Sequence, residues 1–518
     1  ITSPIDYLLP DHWDLDVLKG KLAEANLFIE AETPISRQTY LDSFDWRLWQ
    51  ADAELIFEQK GQGSRLCWVE HSSGSARDSI PIDAPPGFPE ELPACALRER
   101  IAEQLEMRVL LPVVRVEQRL RTLRLLDDEE KTVLRLVFQS SRYFSPNNRK
   151  ITGQLDNRVK LAPIKGYQKP FVQMQANLEL LGLEPVRQGL YEDAVAGIGR
   201  RLGDYSSKLN YHLDPQERSD KTAKQILLSL LDTIEVNVQG TKANLDSEFL
   251  HDLRVATRRS RSAMSQIKGV FDPLELEPFK KDFAWLGQVT GPTRDLDVYL
   301  LKFDGYRESL PAKVRPDLEP FHDFLLTHHK QAQSDLVRKL NSPHFRKLMK
   351  EWRQWLEAPV PNVSFQPNAI QPIVRLADQR IFKIYKRVRK DGLAIKSDSR
   401  AEVYHELRKD CKKLRYLMEF FQSLYPMPEI RGLIKQLKVL LDNLGDFQDL
   451  QVQAEALEAF GEQMLKEGAP ASSLMAMGIL VGNLLERQEQ ARREFADLFA
   501  SFNAKENVQA FKNLFKGK

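Results

Sequence analysis

The chain has 518 residues and a mass of 59.7 kDa, with 42% hydrophobic and 29% charged residues. That composition excludes a low-complexity or collagen-like chain and gives ample material for two or more cores. Lys and Arg total 75 against 73 Asp and Glu, so a uniformly basic nucleic-acid coat is excluded. The balance hides an asymmetry. Residues 1–100 carry 9 basic and 18 acidic side chains, whereas residues 101–400 carry 50 and 38. An anionic partner is expected for the middle of the chain rather than its start.

Cys67, Cys95 and Cys411 are too few, and spaced too irregularly, for a disulfide framework, so reduced thiols and a cytoplasmic protein are expected. No apolar run is long enough to span a membrane, and the start ITSPIDYLLP has no basic-then-apolar leader pattern. The first ~190 residues read as mixed α and β. Glu54–Phe57 and Val133–Phe138 have the length and residue types of strands. Residues 81–93 hold five prolines and read as a loop, and 94–111 as one helix. The polar segment 211–220 reads as linker. From about 221 onward, apolar residues recur at three- and four-residue spacing, as in Leu407, Cys411, Leu414, Met418 and Phe421. Four prolines in 357–372 divide this helical part, and at least four helices are expected on each side.

The two sides are related. With a shift of 154 residues, 251–298 aligns on 405–452 without a gap: His251 meets His405, Leu253 meets Leu407, Arg254 meets Arg408, Arg261 meets Arg415 and Met264 meets Met418. Further on, Leu286 meets Leu440, Gly291 meets Gly445 and Asp295 meets Asp449. This predicts an internal duplication and a pseudo-symmetric bundle.

The duplicated segment opens with a basic stripe. At 3.6 residues per turn, His251, Arg254, Arg258 and Arg261 fall at about 0°, 300°, 340° and 280°, one arc of roughly 80°. His405, Arg408, Lys412 and Arg415 repeat the arc, while Arg258-Arg259 is matched by Lys412-Lys413. A single basic stripe is usually a solvated face, and Asp252, Asp295, Asp297, Glu406 and Asp449 are available as counter-charges. A stripe repeated in register, led each time by histidine, points instead to a trough for an anion. A third row, Lys383, Lys386, Arg387 and Lys390, lies on one helical face before the second copy only. Arg346, Lys347, Lys350 and Arg353 crowd another helix and read as solvated. Cations repeated every turn suit a linear polyanion, with Arg giving paired hydrogen bonds to phosphate oxygens. Few aromatics interleave, which disfavours single-stranded nucleic acid. No dinucleotide-binding glycine pattern, P-loop, HExxH or GxSxG is present. His322, His328 and His329 have no metal-ligand spacing and are expected to be surface residues. No catalytic residue, metal site or cofactor is expected.

The helix HxxRVxxRRxR followed by LGxxxGxxRDLDV (Leu286 to Val298) resembles the conserved histidine α-helical domain, CHAD, and HELRKDCKKLRY with LGDFQDLQV resembles its second half. That resemblance implies an all-α bundle of two similar halves over 221–518, about 221–357 and 372–518. It also implies binding of inorganic polyphosphate in a basic channel, in the cytoplasm and at polyphosphate granules. The residues it assigns to binding are His251, Arg254, Arg258, Arg261, His405, Arg408, Lys412 and Arg415. Arg259, Lys413 and the row Lys383, Lys386, Arg387 and Lys390 join them by charge. Arg294 is matched by Gln448 and departs from the duplication.

Residues 1–190 resemble a CYTH domain, a β-rich triphosphate tunnel, through Tyr40-Leu-Asp-Ser-Phe44 and Lys160-Leu-Ala-Pro-Ile-Lys-Gly-Tyr167, with 191–220 as linker. The family's ExExK strand corresponds to Thr2-Ser-Pro-Ile-Asp6, its arginine-bearing strand to Leu55-Ile-Phe-Glu58 and its later acidic strand to Arg158-Val-Lys160. The carboxylates that hold Mg²⁺ and the cations that hold triphosphate are missing from these positions. The resemblance therefore implies a degenerate, non-enzymatic domain. A triphosphatase or an electrostatic nucleic-acid binder is the alternative reading.

Overall fold

The computed structural model describes residues 4–22, 27–29, 34–70, 76–186, 188–396 and 398–516. Thr2 and Ser3 of the ExExK counterpart lie outside the described residues. The chain divides into two units, Ile1–Ser206 and Ser207–Lys518.

Among the described residues, the first unit is an antiparallel sheet with five α-helices. Its strands are β1 (Ile5–Leu8), β2 (Leu27–Ile29), β3 (Ser36–Asp42), β4 (Ala53–Lys60), β5 (Gly63–Glu70), β6 (Ala76–Pro81), β7 (Leu111–Leu126), β8 (Thr132–Phe144) and β9 (Thr152–Pro163). They order as β1-β9-β8-β7-β3-β4-β5-β6, with β2 also on β7. The helices are α1 (Leu15–Lys21), α2 (Arg47–Gln50), α3 (Ala96–Leu105), α4 (Gln168–Leu180) and α5 (Leu190–Gly197).

Both strands read from the sequence are present, inside β4 and β8. The helix expected over 94–111 stops at Leu105, because Glu106 takes φ 52° and the run Pro112-Val113-Val114 favours extended chain. The segment 191–220 begins as helix rather than linker. Tyr191, Ala194 and Val195 of α5 are buried against Tyr40, Ile56, Val114, Val116 and Leu155 of the sheet. The rings of Tyr40 and Tyr191 stack at 4.5 Å.

The second unit is helical: α6 (Ser219–Ala243), α7 (Ser247–Gln266), α8 (Pro273–Val289), α9 (Gly291–Ser309), α10 (Glu319–Leu340), α11 (Pro343–Glu357), α12 (Ile373–Ala394), α13 (Ala401–Phe421), α14 (Met427–Lys466), α15 (Ala471–Phe502) and α16 (Lys505–Phe515). An antiparallel sheet followed by a helical region is the fold class expected from the sequence. The proline-rich segment separates six helices from five. The 154-residue shift carries α6 onto α12 and α7 onto α13. It also carries α8 with α9 onto the single long α14. The difference has a local cause: Pro292 has no N–H to continue the ladder, whereas Asp446 stands at the equivalent place in α14.

α7 and α13 pack on each other and on α6 and α12, burying Leu253, Ala256 and Met264 with Leu407, Cys411, Leu414 and Met418 in one core. A smaller core joins α9 and α10 to the far half of α14 and to α15 through Tyr299, Phe321, Leu457 and Leu480.

Candidate functional site

Each arc of basic residues lies beside the buried stripe of its helix, so packing holds α7 and α13 while their cations stay partly accessible. Arg254 reaches the next helix and donates to Gly287 O at 3.1 Å and Thr290 Oγ1 at 3.0 Å. Arg408 donates to Asp449 Oδ1 at 2.8 Å. The glycines of the repeated motif receive these arginines: a Cβ on Gly291 would stand 3.6 Å from Arg254, and one on Gly445 3.9 Å from Arg408. Both arginines are half-buried rather than on an open face, and burial lowers the pKa of Arg254.

The histidines also occupy matching places with different partners. His251 Nδ1 lies 2.8 Å from Arg294 and His405 Nδ1 3.0 Å from Gln448 Oε1, again residues 154 apart. Arg294 donates as well to Ser247 O and is 14% exposed, so it orients His251.

Arg258 of α7 and Arg408 and Arg415 of α13 act electrostatically on Lys412, opposed by Asp449. Lys412 is half-buried; burial first, then Arg408 and Arg258, push its pKa down to about 8. Arg258 and Arg261 are exposed, and their guanidinium groups make no hydrogen bond among the described residues. Arg259 is turned inward, bonded to Ser207 O at 3.0 Å and to Glu419 at 3.1 Å. Arg415 holds the other oxygen of Glu419 at 2.8 Å. Lys413 is paired with Asp410 at 2.6 Å. On α12, Lys383, Lys386, Arg387 and Lys390 are all exposed; Lys386 lies over the Phe382 ring, and Arg387 is 3.8 Å from Asp410.

The structure thus brings Arg258 of the first arc to Lys412 of the second and Arg387 of the α12 row to Asp410 of α13. Among the expected counter-charges, Asp449 does pair with Arg408, while Glu406 takes Lys409 and Asp297 takes His329. The histidines expected on the surface are half-buried: His322 packs on Phe303, His328 on Phe324, and His329 has a carboxylate partner at 2.8 Å. Arg353, expected to be solvated, holds Asp232, Glu235 and Glu357.

Three contributors escaped the sequence reading, Glu419, Asp410 and Arg380, while Gln448, noted there only as a departure from the duplication, holds His405. Glu419 stands four residues after Arg415, a spacing that signals a helical ion pair, but its bond to Arg259 spans 160 residues. Arg380 is three residues before Lys383 and extends that row, although its Nε is given to Gln266 O.

In the first unit, a cavity of about 530 Å³ is lined by Gln38, Tyr40, Glu54, Gln118, Arg158 and Lys160 among others. Its cations are engaged: Arg158 bonds Asp193 of α5 and Gln188 O, and Lys160 lies 3.5 Å from Asp6. Asp42, in the Tyr40–Phe44 motif, accepts the backbone N–H groups of Ser43, Leu48 and Trp49 and so anchors α2. A bound trianion would have to displace those carboxylates from the two cations.

Residues 225–458 match the CHAD domain family. No curated protein matches. Among solved structures, the CHAD domain of the plant Ricinus communis is 23% identical, covers 57% of this chain and 95% of its own, and gives a TM-score of 0.49. PptA from Streptomyces chartreusis is 16% identical over 55% of this chain and 99% of its own, with a TM-score of 0.42. A Hippeastrum protein described as having a dominant triphosphatase activity is 14% identical over 38% of this chain and 95% of its own, with a TM-score of 0.27. The duplicated helices α7 and α13, with their paired histidines and arginines, lie within the stretch that matches the CHAD domain family.

Proposed function

We propose that the helical unit binds inorganic polyphosphate, without transforming it, along the basic faces of α7 and α13 with the α12 row beside them. The observation that carries this reading is the convergence on Lys412 of Arg408 and Arg415 from its own helix and Arg258 from the other half. Like charges gathered in a half-buried place are costly unless an anion joins them. Arg408 Nε and Arg259 Nε are buried without acceptors in the free protein, two donors still available to an oxyanion. The reading extends to association with polyphosphate granules. Among the described residues no helix is long and apolar enough to cross a membrane. The first unit serves here as a scaffold, because the cations of its cavity are already paired with carboxylates.

Titration of the full chain with polyphosphates of graded length at fixed salt tests the proposal. Affinity is expected to rise with length, level off once the track is filled, and fall steeply with added salt as counterions are released. Tripolyphosphate binding as tightly as a long polymer, or an oligonucleotide resisting competition by polyphosphate, would overturn it. Tripolyphosphate incubated with the full chain and Mg²⁺ is expected to remain intact.

A further inference from the structure

The anion track contains one carboxylate in an unusual position. Glu419, on the last turn of α13, is 16% exposed and divides its two oxygens between guanidinium groups of the two halves. Oε2 accepts from Arg259 Nη2 of α7 at 3.1 Å, and Oε1 from Arg415 Nε of α13 at 2.8 Å. Two arginines, each giving one donor to a shared pair of oxygens, are also the arrangement that receives a phosphate or sulfate. Both have donors left over. Arg259 Nε is buried without an acceptor, and Arg415 is 31% exposed.

The duplication shows that this carboxylate is not required by the fold of the repeat. The position equivalent to Glu419 is Ser265, whose hydroxyl turns back to its own helix and donates to Arg261 O at 2.7 Å. The counterpart of Arg415 there is Arg261, exposed and with no hydrogen bond from its guanidinium among the described residues, and the counterpart of Arg259 is Lys413, which goes to Asp410. One half of the track therefore carries an internal anion, and the other leaves its arginine open.

We propose that Glu419 occupies an oxyanion seat formed by Arg259 and Arg415, acting as a built-in competitor that a phosphate group displaces when a polyanion settles on the track. A polymer would engage the open half first and then exchange with the carboxylate. Released, Glu419 keeps its negative charge and lowers affinity for every chain that crosses the seat. The polymer part of this inference rests on the function proposed above; the existence of the seat does not.

The test uses the full chain with Glu419→Ser, which gives the second half the residue of the first, and with Glu419→Gln, which keeps the side-chain volume if the serine variant fails to fold. Melting is followed with sulfate replacing chloride at constant ionic strength. The expected result is a lower melting temperature in chloride, most of that loss recovered by sulfate with a saturable midpoint, and little sulfate effect on the parent. Long polyphosphate should bind the variant roughly three- to tenfold tighter, with a salt dependence steeper by about one counterion. A folded variant stabilised by sulfate no more than the parent overturns the seat, and sulfate recovery without tighter polymer binding, where the parent does bind the polymer, overturns the competitor role. Sulfate recovery in a protein that binds no polyphosphate would support the seat while removing the function reading. Polymer binding by the parent without sulfate recovery in the variants would remove the seat and leave that reading standing.

Discussion

Arg408 donates to Asp449 at 2.8 Å, whereas its counterpart Arg254 bonds the carbonyl of Gly287 and the hydroxyl of Thr290 and meets Asp295 through charge alone. One residue pattern is thus wired in two ways. In the first half the arginine ties α7 to the end of α8, where Pro292 has broken the helix. In the second half the helix is continuous, and the arginine rests on an aspartate that is 58% exposed.

The two arginines should therefore respond differently to truncation. Arg254→Ala removes two hydrogen bonds from a half-buried place and is expected to cost about 1–2 kcal/mol of stability. Arg408→Ala removes a pair with one exposed partner and should cost about 0–1 kcal/mol. Binding should rank the other way, because Arg408→Ala leaves the exposed Asp449 carboxylate without its bonded cation beside the track, whereas Asp295, the carboxylate that acts on Arg254, keeps Arg294 nearby. Denaturant melts and polyphosphate titrations of the two variants check both rankings; the same order in the two assays would contradict the asymmetry.

Much of this was legible in the chain. Helical spacing, the proline-rich divider and the 154-residue shift give the two halves, because core packing repeats at 3.6 residues and the duplication preserved it. The basic arc was legible because His251, Arg254, Arg258 and Arg261 are fixed by one helix. What the spacing could not give is the partner of each cation. Arg259 and Arg258 are adjacent in sequence, yet one bonds Glu419 and the other remains exposed, a distinction made by how α13 crosses α7. The end of α3 at Glu106 and the packing of α5 on the sheet were likewise set by tertiary contacts rather than by local composition.

Lys412 predicts a pH response of definite sign. Its folded pKa, about 8, lies below the ordinary 10.5, so between those values the unfolded chain binds more protons. Folding stability should therefore gain a contribution as pH rises from 8 towards 10.5. Polyphosphate binding should move the opposite way and weaken above pH 8, as the free protein loses the ammonium. Lys412→Met should remove both responses and raise the melting temperature at neutral pH. Equal pH profiles for parent and variant would count against the placement of Lys412 among the arginines.

In the first unit, the Tyr40–Phe44 motif acts through Asp42, which is 1% exposed and receives three backbone N–H groups. Asp42→Asn keeps the size but turns one acceptor into a donor facing N–H groups, so it should cost about 1–3 kcal/mol. Hydrogen exchange should show the loss concentrated in α2 and its flanking strands, with the amides of α7 and α13 unchanged. Uniform loss across both units would contradict a local anchoring role.

The paired histidines provide the last expectation, and its argument is one of donors and acceptors. A guanidinium can only donate, so His251 Nδ1, 2.8 Å from Arg294, must be bare and the ring carries its proton on Nε2. His405 Nδ1 faces the carbonyl oxygen of Gln448, so it is the donor, and its Nε2 is the nitrogen that can take a second proton. The free Nε2 atoms of the two rings therefore differ, His251 offering a donor and His405 an acceptor. Nitrogen-15 NMR of the ring atoms distinguishes the forms directly: His251 should show the Nε2–H tautomer, and His405 the Nδ1–H tautomer. Arg294→Gln, which installs the partner of the second half in the first, should move the His251 proton to Nδ1. If His251 already carries a proton on Nδ1 in the parent, the contact with Arg294 is not the one described, and the difference between the halves disappears.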